Sequence, residues 1–455
     1  MRRDVPIAIA IFVLALWQNL AQVPATPFNP DESRWLHRAH YFRDLIHPSG
    51  ATWEPGYLTR GQPPLGSYAT GIGLIAQGRD LATNGSWVYT CQEGVCRPNF
   101  QEWTVNVAAG NLPSAADLQA GRRTSAVTGA LTALVVYLLG ARLTNRSGGI
   151  AGALLLAVHP FQAYISSLAT ADALLGLLLA LAGLAAARLA ARPGWGRALL
   201  VGALLGLGGA AKLSPLLTAV PVAGLGAALL APAVWSRARR GGWSTRPRRD
   251  PLAVGLIAAP VVAFFVFVAV YPYLWRDPIG RTVDLFAFRA QEMRAQGKDW
   301  PALAVPTRAD ALRRIGVTLG ADSDATSRVA GAALRRAGVH WDVPSLDLPL
   351  AVAGAEVLLA LAVSRGARSP QMLVLVLLGA QAAVTVVGMR SGFDRYLVPI
   401  ALFAAVAGGV LVGQIAAGVV WAGRVAMTVR ASRPERWARR GAPRGQPGAL
   451  DRSLF

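Results

Sequence analysis

The chain has 455 residues, of which 53% are hydrophobic and 15% charged, with a mean hydropathy of +0.40. A soluble protein carries about 25% charge, so a soluble globular enzyme is excluded, and apolar runs of roughly 18 residues or more point to membrane spans. The formal net charge of +21 first suggests a nucleic-acid partner, but the arginines cluster between and after the apolar runs, where positive charge marks cytoplasmic connections and suits an anionic leaflet.

The N-terminus, "MRRDVPIAIAIFVLALWQNLAQV", has the basic start and apolar core of a signal peptide but no small-x-small cleavage site. It is therefore predicted to be an uncleaved first span, about residues 5–23. Directly after it, "FNPDESRWLHRAHYF" opens a polar stretch with Asp31 and Glu32 side by side. Asn29 is a suitable N-cap, Pro30 suits the first turn, and Trp35, Ala39 and Phe42 recur at helical spacing. This pattern predicts a short amphipathic helix lying on the bilayer surface. The stretch 24–121 continues through "TRGQPPLGSY" and "TCQEGVC", where Cys91 and Cys96 form either a small disulfide or two free thiols.

Nine further spans are predicted at about 122–141, 149–165, 170–188, 197–212, 214–234, 252–273, 347–364, 371–388 and 397–421. The fold class is thus all-α: a polytopic integral membrane protein of about ten transmembrane helices, with short helices in two long outer loops. The stretch 236–250 holds six Arg and one acid, and the tail from residue 422 holds eight Arg against Glu435 and Asp451. Placing these segments in the cytoplasm puts 24–121 and 274–346 outside, in a protein of the plasma membrane. The expected organisation is a membrane module 1–235 carrying a catalytic outer loop 24–121, a basic linker 236–251, membrane helices 252–421 with outer loop 274–346, and a disordered basic tail 422–455. The tyrosines and tryptophan of "YPYLW" (Tyr271, Tyr273, Trp275) are expected chiefly as interfacial belt residues.

This topology, assigned from arginines alone, brings one set of ionisable residues to the outer face. Asp31 and Glu32 follow the first span, Asp172 begins the fourth, Lys212 lies at the turn after the fifth, and Asp394 and Arg395 open the last. Ionisable groups at the edge of apolar segments more often mark function than chance. Transfer of a sugar from a polyprenyl phosphate needs such a set. A carboxylate takes the acceptor's proton, and cations hold the growing charge of the departing phosphate, which requires no acid. No nucleotide-binding fingerprint is present. The five histidines (37, 40, 47, 159 and 340) lack metal-ligand spacing, and only His37 and His40 share a helix. No metal site is expected, although a divalent cation between Asp31 or Asp172 and the phosphate remains open.

These residues resemble the GT-C glycosyltransferases, above all the protein O-mannosyltransferases and the aminoarabinose transferases that modify lipid A. Those families carry an Asp-Glu pair in the first outer loop, matched by Asp31-Glu32. A His- or Lys-Pro-Pro-Leu element follows, similar to Gln62, Pro63, Pro64 and Leu65. A Gly-Leu-rich span leads to a lysine, like Lys212, and an Arg-Tyr-Leu-x-Pro element resembles Arg395 to Pro399. The resemblance implies Asp31, Glu32 and Asp172 as catalytic residues, with Asp31 as base or acceptor-orienting group. It implies Arg395 and Lys212 as donor-phosphate ligands, and Gln62, Pro63, Tyr396 and Asp394 as substrate contacts. Gln62 is neutral where relatives have a cation, and Arg60 is the nearby substitute. The implied activity is inverting transfer from a polyprenyl-phosphate sugar to a protein, lipid or glycan acceptor at the outer face, with no nucleic acid involved. A transporter or flippase for a glycan-lipid precursor is the alternative; it would place its polar groups near the bilayer midplane in repeated halves.

Overall fold

The computed structural model describes residues 4–89, 91–92, 95–96, 100–240, 250–321, 324–340 and 345–431. Most of the basic linker and the end of the basic tail therefore lie outside the described residues. The chain opens with α1 (Asp4–Gln22), and the long connection after it contains α2 (Pro30–His37), α3 (Tyr57–Gly61), α4 (Leu65–Ala76) and α5 (Phe100–Ala108). The bundle continues with α6 (Ala115–Leu143), α7 (Arg146–Ala157), α8 (Pro160–Ser166), α9 (Asp172–Ala191), α10 (Trp195–Ala211), α11 (Ser214–Arg240) and α12 (Pro251–Ala269). The second long connection holds α13 (Pro278–Asp299), α14 (Arg308–Gly316) and α15 (Ala325–Arg336). The chain returns through α16 (Asp347–Arg365), α17 (Pro370–Val374), a π-helical stretch, α18 (Ala380–Gly388) and α19 (Val398–Ala431). A two-residue antiparallel pair, Cys91–Gln92 with Val95–Cys96, sets the two cysteines opposite each other along the backbone; their side chains lie outside the described residues.

Among the described residues eight helices are long and apolar enough to cross a bilayer, or nine if one bent pair counts as a single span. The difference from the expected ten has two physical causes. In the predicted span 149–165, Pro160 cannot donate to the helical ladder. His159 Nδ1 instead accepts from Phe161 N (3.2 Å) and starts α8 at 64° to α7. The predicted span 197–212 is a helix of only 17 residues, packed between α9 and α12.

The chain forms two compact units, Met1–Gly413 and Gln414–Phe455. In the first, the core is a leucine and alanine seam in which Leu139, Leu179, Leu205, Leu256 and Leu377 are fully buried. Small residues let backbones meet where α7 crosses α19: a Cβ on Gly148 would lie 2.8 Å from the Gly409 carbonyl, and one on Gly152 2.8 Å from that of Ala405. Such small-xxx-small crossings replace the hydrophobic drive that lipid does not supply.

The first long connection departs from the surface helix read from its sequence. Trp35, Leu36 and Ala39 are buried, with Leu36 and Ala39 packed against Leu74 and Ala120. The apolar stripe therefore faces protein, and Arg38–Ile46 continues as a 3-10 helix. Gly66 makes this docking possible, because a Cβ there would come within 2.4 Å of Ala171 Cβ and 2.7 Å of the Trp35 ring. Nor do Tyr271 and Tyr273 form a belt. Both are buried, with their hydroxyls donating to the Thr59 carbonyl and to Asp284, whereas Trp275 is exposed as expected. The second long connection is fastened to the first: Tyr57 donates to Glu292 (2.7 Å) and Arg276 pairs with Glu54 (2.8 Å).

Candidate active site

Asp31 owes its position to a capping box. Asn29 Oδ1 accepts from Asp31 N (3.0 Å), and Glu32 Oε2 accepts in return from Asn29 N (2.9 Å), so the helix begins where Pro30 fixes its first turn. The Asp31 side chain, 18% exposed, accepts from Arg395 through Oδ2 and from the Tyr89 hydroxyl through Oδ1 (3.1 Å). Burial pushes its carboxyl up, but the charges of Arg395 and Arg34 and the Tyr89 hydrogen bond outweigh it and hold the group below the usual carboxylate range. Burial and the charge of Asp31 push the Tyr89 phenol up, so it remains a neutral donor.

Glu32 faces the other way. It is 0% exposed and takes a bidentate pair from Arg122, with Nε to Oε1 at 2.8 Å and Nη2 to Oε2 at 2.7 Å. Ala169 N adds a further bond to Oε1 (2.9 Å). Arg122 in turn donates to the carbonyls of Val23, Thr26 and Pro27. Glu32 thus ties the end of α1, the start of α2, α6 and the α8–α9 turn together, and it does not line the cavity described next.

Two cavities meet beside Asp31. The larger, about 770 Å³, is polar and aromatic and is lined by Asp31, Arg34, Arg38, Tyr89, Asp172 and Trp300 among others. The smaller, about 390 Å³, is an apolar groove between α9, α11, α13 and the start of α19, with Leu175, Leu217, Phe286, Met293 and Val384 in its walls. Among its described lining residues are Lys212, Arg289, Arg294, Arg390 and Arg395 but no acid. Gln62, Lys212 and Arg395 line both cavities and form the seam between them. At this seam Lys212 Nζ donates to Asp172 Oδ1, while Thr170 Oγ1 donates to Asp172 Oδ2 (2.9 Å). Helix α13 is the partition: Phe286, Ala290 and Met293 face the groove, and Glu292, Gln296 and Asp299 face the cavity. A line of edge-on rings, Tyr89–Trp300–Phe393–Tyr396 with centroids 5.9, 6.4 and 5.7 Å apart, runs from the Asp31 side toward the groove.

The structure brings together Asp31, Asp172, Lys212, Arg395, Gln62, Pro63 and Tyr396, the last with its hydroxyl donating to Gln296 Oε1 (3.3 Å). It does not bring Arg60 or Asp394 to either cavity. Arg60 lies over the Phe288 ring (4.6 Å) and faces Asp284 (3.4 Å). Asp394 faces Arg314 (3.4 Å) and is 44% exposed. Sequence reasoning missed Arg122, Arg34, Arg38, Tyr89 and the groove arginines Arg289, Arg294 and Arg390. Arg122 had a signal, being an arginine at the start of a predicted span; the i, i+4 spacing of Arg34 and Arg38 behind Asp31 was another. Among the described residues no three His, Cys, Asp or Glu side chains gather as a ligand set.

Residues 112–274 match the family model described as dolichyl-phosphate-mannose-protein mannosyltransferase. The match covers about a third of the chain. The matched stretch includes Arg122, Asp172 and Lys212; Asp31 and Arg395 lie outside it. Among solved structures, the chain is similar to the oligosaccharyltransferase of Archaeoglobus fulgidus tethered with an acceptor peptide, at 13% identity and a TM-score of 0.47, over 89% of this chain and 49% of that one. The same archaeal enzyme with an inhibitory peptide and a dolichol-phosphate matches at 14% identity and a TM-score of 0.45, over 94% and 52%. The Pmt1-Pmt2 protein O-mannosyltransferase complex of S. cerevisiae, bound to its sugar donor, matches at 18% identity and a TM-score of 0.40, over 59% and 33%. The chain thus spans about half the length, or less, of these solved relatives. No curated protein sequence matches it.

Proposed function

We propose that this protein is an inverting glycosyltransferase that moves a sugar from a polyprenyl-phosphate donor to an acceptor hydroxyl or amine on the extracytoplasmic side of the plasma membrane. One observation carries the reading: Arg395 and Lys212 stand where an apolar groove opens into a polar cavity, and each holds a carboxylate there. The groove suits a polyprenyl chain, and its cations suit the phosphate. The cavity suits the sugar and acceptor. The family match supports a mannose-like hexose on the lipid phosphate as the first donor to try.

The chemistry follows from this placement. The donor phosphate meets Arg395 and Lys212, and sharing Arg395 loosens its hold on Asp31. The acceptor oxygen attacks the anomeric carbon from the cavity side while its proton passes to the Asp31 carboxylate. The bond from the anomeric carbon to the phosphate oxygen breaks, and its electron pair stays on the polyprenyl phosphate, whose added charge the two cations meet. A single displacement inverts the anomeric configuration. Asp172 positions Lys212, and Glu32 with Arg122 positions the helix that carries Asp31. The arginine-rich connections on the opposite face support an outward-facing site.

The test uses the full chain in liposomes with a panel of polyprenyl-phosphate sugars and a membrane extract as acceptor. Wild type should release free polyprenyl phosphate, and Asp31→Asn should lower that rate at least about 100-fold while retaining donor binding. Equal rates would remove Asp31 from the chemistry. No release with any donor would shift the reading to transport of a lipid-linked glycan.

A further inference from the structure

Two cations of the polar cavity take no part in the transfer described above. Arg34 and Arg38 follow Asp31 by three and seven residues, about one and two helical turns, and both line the cavity. The other cations of its lining are matched, Arg395 holding Asp31 and Lys212 holding Asp172, and its Glu292 is taken by Arg289 from the groove side. Among the described residues Arg34 and Arg38 form no ion pair, and the lining offers one unpaired carboxylate, Asp299.

Arg38 is the more telling of the two. It is 2% exposed, and its Nη2 donates to the carbonyls of Gln62 (2.6 Å) and Pro63 (3.4 Å). Its guanidinium lies 5.0 Å from the ring centres of both Trp35 and Tyr41, and its Nε is buried without an acceptor. Burying a guanidinium with no counter-charge is costly, and packing alone would be served as well by an apolar side chain. Arg34 is equally well ordered, donating to the Trp87 carbonyl (3.0 Å) and the Tyr57 hydroxyl (3.1 Å) beneath the rings of Tyr57 and Tyr89. Two guanidiniums fixed by carbonyls and ring faces, neither of them in an ion pair, make a receptor for an anion.

We infer that Arg34 and Arg38 form an anion subsite for the acceptor, which is a saccharide bearing a carboxylate or phosphate group roughly 5–10 Å, one to two helical turns, from the hydroxyl that meets Asp31. This rests on the transfer reading above. The anion is a recognition handle and not the nucleophile. It is also separate from the donor phosphate, because the groove that takes the lipid is lined by neither Arg34 nor Arg38.

Binding in nanodiscs separates these roles. The probes are a neutral hexose trisaccharide, the same trisaccharide with one uronate ring, the same with one phosphate ester, and polyprenyl phosphate alone. At least one charged probe should bind wild type about tenfold or more tighter than the neutral one, and whichever binds better identifies the anion. That preference should shrink to about twofold in Arg38→Met and in Arg34→Gln, while polyprenyl-phosphate affinity stays at the wild-type value. Arg38→Lys should retain part of it. If Arg38→Met does not fold, Arg34→Gln at the half-exposed position decides. Equal binding of neutral and charged probes by wild type would overturn the inference. So would loss of polyprenyl-phosphate affinity in either variant, since the arginines would then belong to the donor. Failure of the transfer reading shows separately, as anion preference without release of polyprenyl phosphate from any donor.

Discussion

A helix turns about 100° per residue, so the adjacent carboxylates of Asp31 and Glu32 leave the same first turn toward different surroundings. Asp31 looks into the cavity and pairs with Arg395, while Glu32 is sealed against Arg122. Removing one member of a buried pair leaves the other uncompensated, typically at about 3–5 kcal/mol. Arg122→Met is therefore expected to lower the thermal unfolding temperature in detergent clearly, and Asp31→Asn, at a partly exposed pair, to lower it less. The pH dependence of Asp31 has a definite sign. Its folded-state carboxyl lies below the usual range, so its stabilising contribution is present above the unfolded value of about 3.9 and is lost as pH falls through the folded one. For activity, the acid limb of kcat/KM for the donor reports the free protein, in which Arg395 holds Asp31, and the limb of kcat reports the donor complex. If phosphate draws Arg395 away, the kcat limb lies at higher pH. Coincident limbs would mean that Arg395 keeps its hold on Asp31 throughout.

At the scale of elements, α2 and α13 do the most to shape the site. Helix α2 is held inward by the contact of Gly66 with Ala171 and Trp35. Gly66→Val would push these apart, and overpacking of this kind costs about 1–3 kcal/mol. It should lower thermal stability and, by tilting α2, the transfer rate more than donor affinity; an unchanged melting curve would count against this packing. Helix α13 supplies one wall to the groove and another to the cavity, so its two faces should have separable effects. Met293→Asp places a charge among the groove's apolar residues and should weaken polyprenyl-phosphate binding by about tenfold or more, measured by titration, with acceptor binding retained.

At the scale of the molecule, Val220, Val261 and Phe265 are more than half exposed on helices long enough to span a membrane. A continuous apolar surface of that kind suits lipid rather than water. The orientation remains to be tested by labelling, in a full chain with Cys91 and Cys96 changed to serine. Ser49→Cys, exposed in the first long loop, should react with a membrane-impermeant thiol reagent in intact cells. Gly196→Cys, in open space at the start of α10, should react only after permeabilisation. The reverse pattern would invert the topology and move the site to the cytoplasm.

The sequence by itself determined the membrane class, the helical fold and the one-sided grouping of Asp31, Asp172, Lys212 and Arg395, because hydropathy and arginine placement act along the chain and need no partner. Local chemistry also fixed the Asn29 cap and the start of α2. Only the tertiary structure decided the rest. Helical spacing gave the apolar stripe of Trp35 and Ala39 but not what it packs against, so a buried helix read as a surface one. The spacing of Asp31 and Glu32 could not separate their roles, because the partner that distinguishes Glu32 lies 90 residues away in Arg122. Arg60 and Asp394 sit beside the right residues in sequence yet turn toward Asp284 and Arg314. The unmet charge of Arg38 is visible only once every neighbouring carboxylate has been assigned its partner. Pairing across long separations is a property of the packed chain, and it is pairing that divides the site residues from their supports.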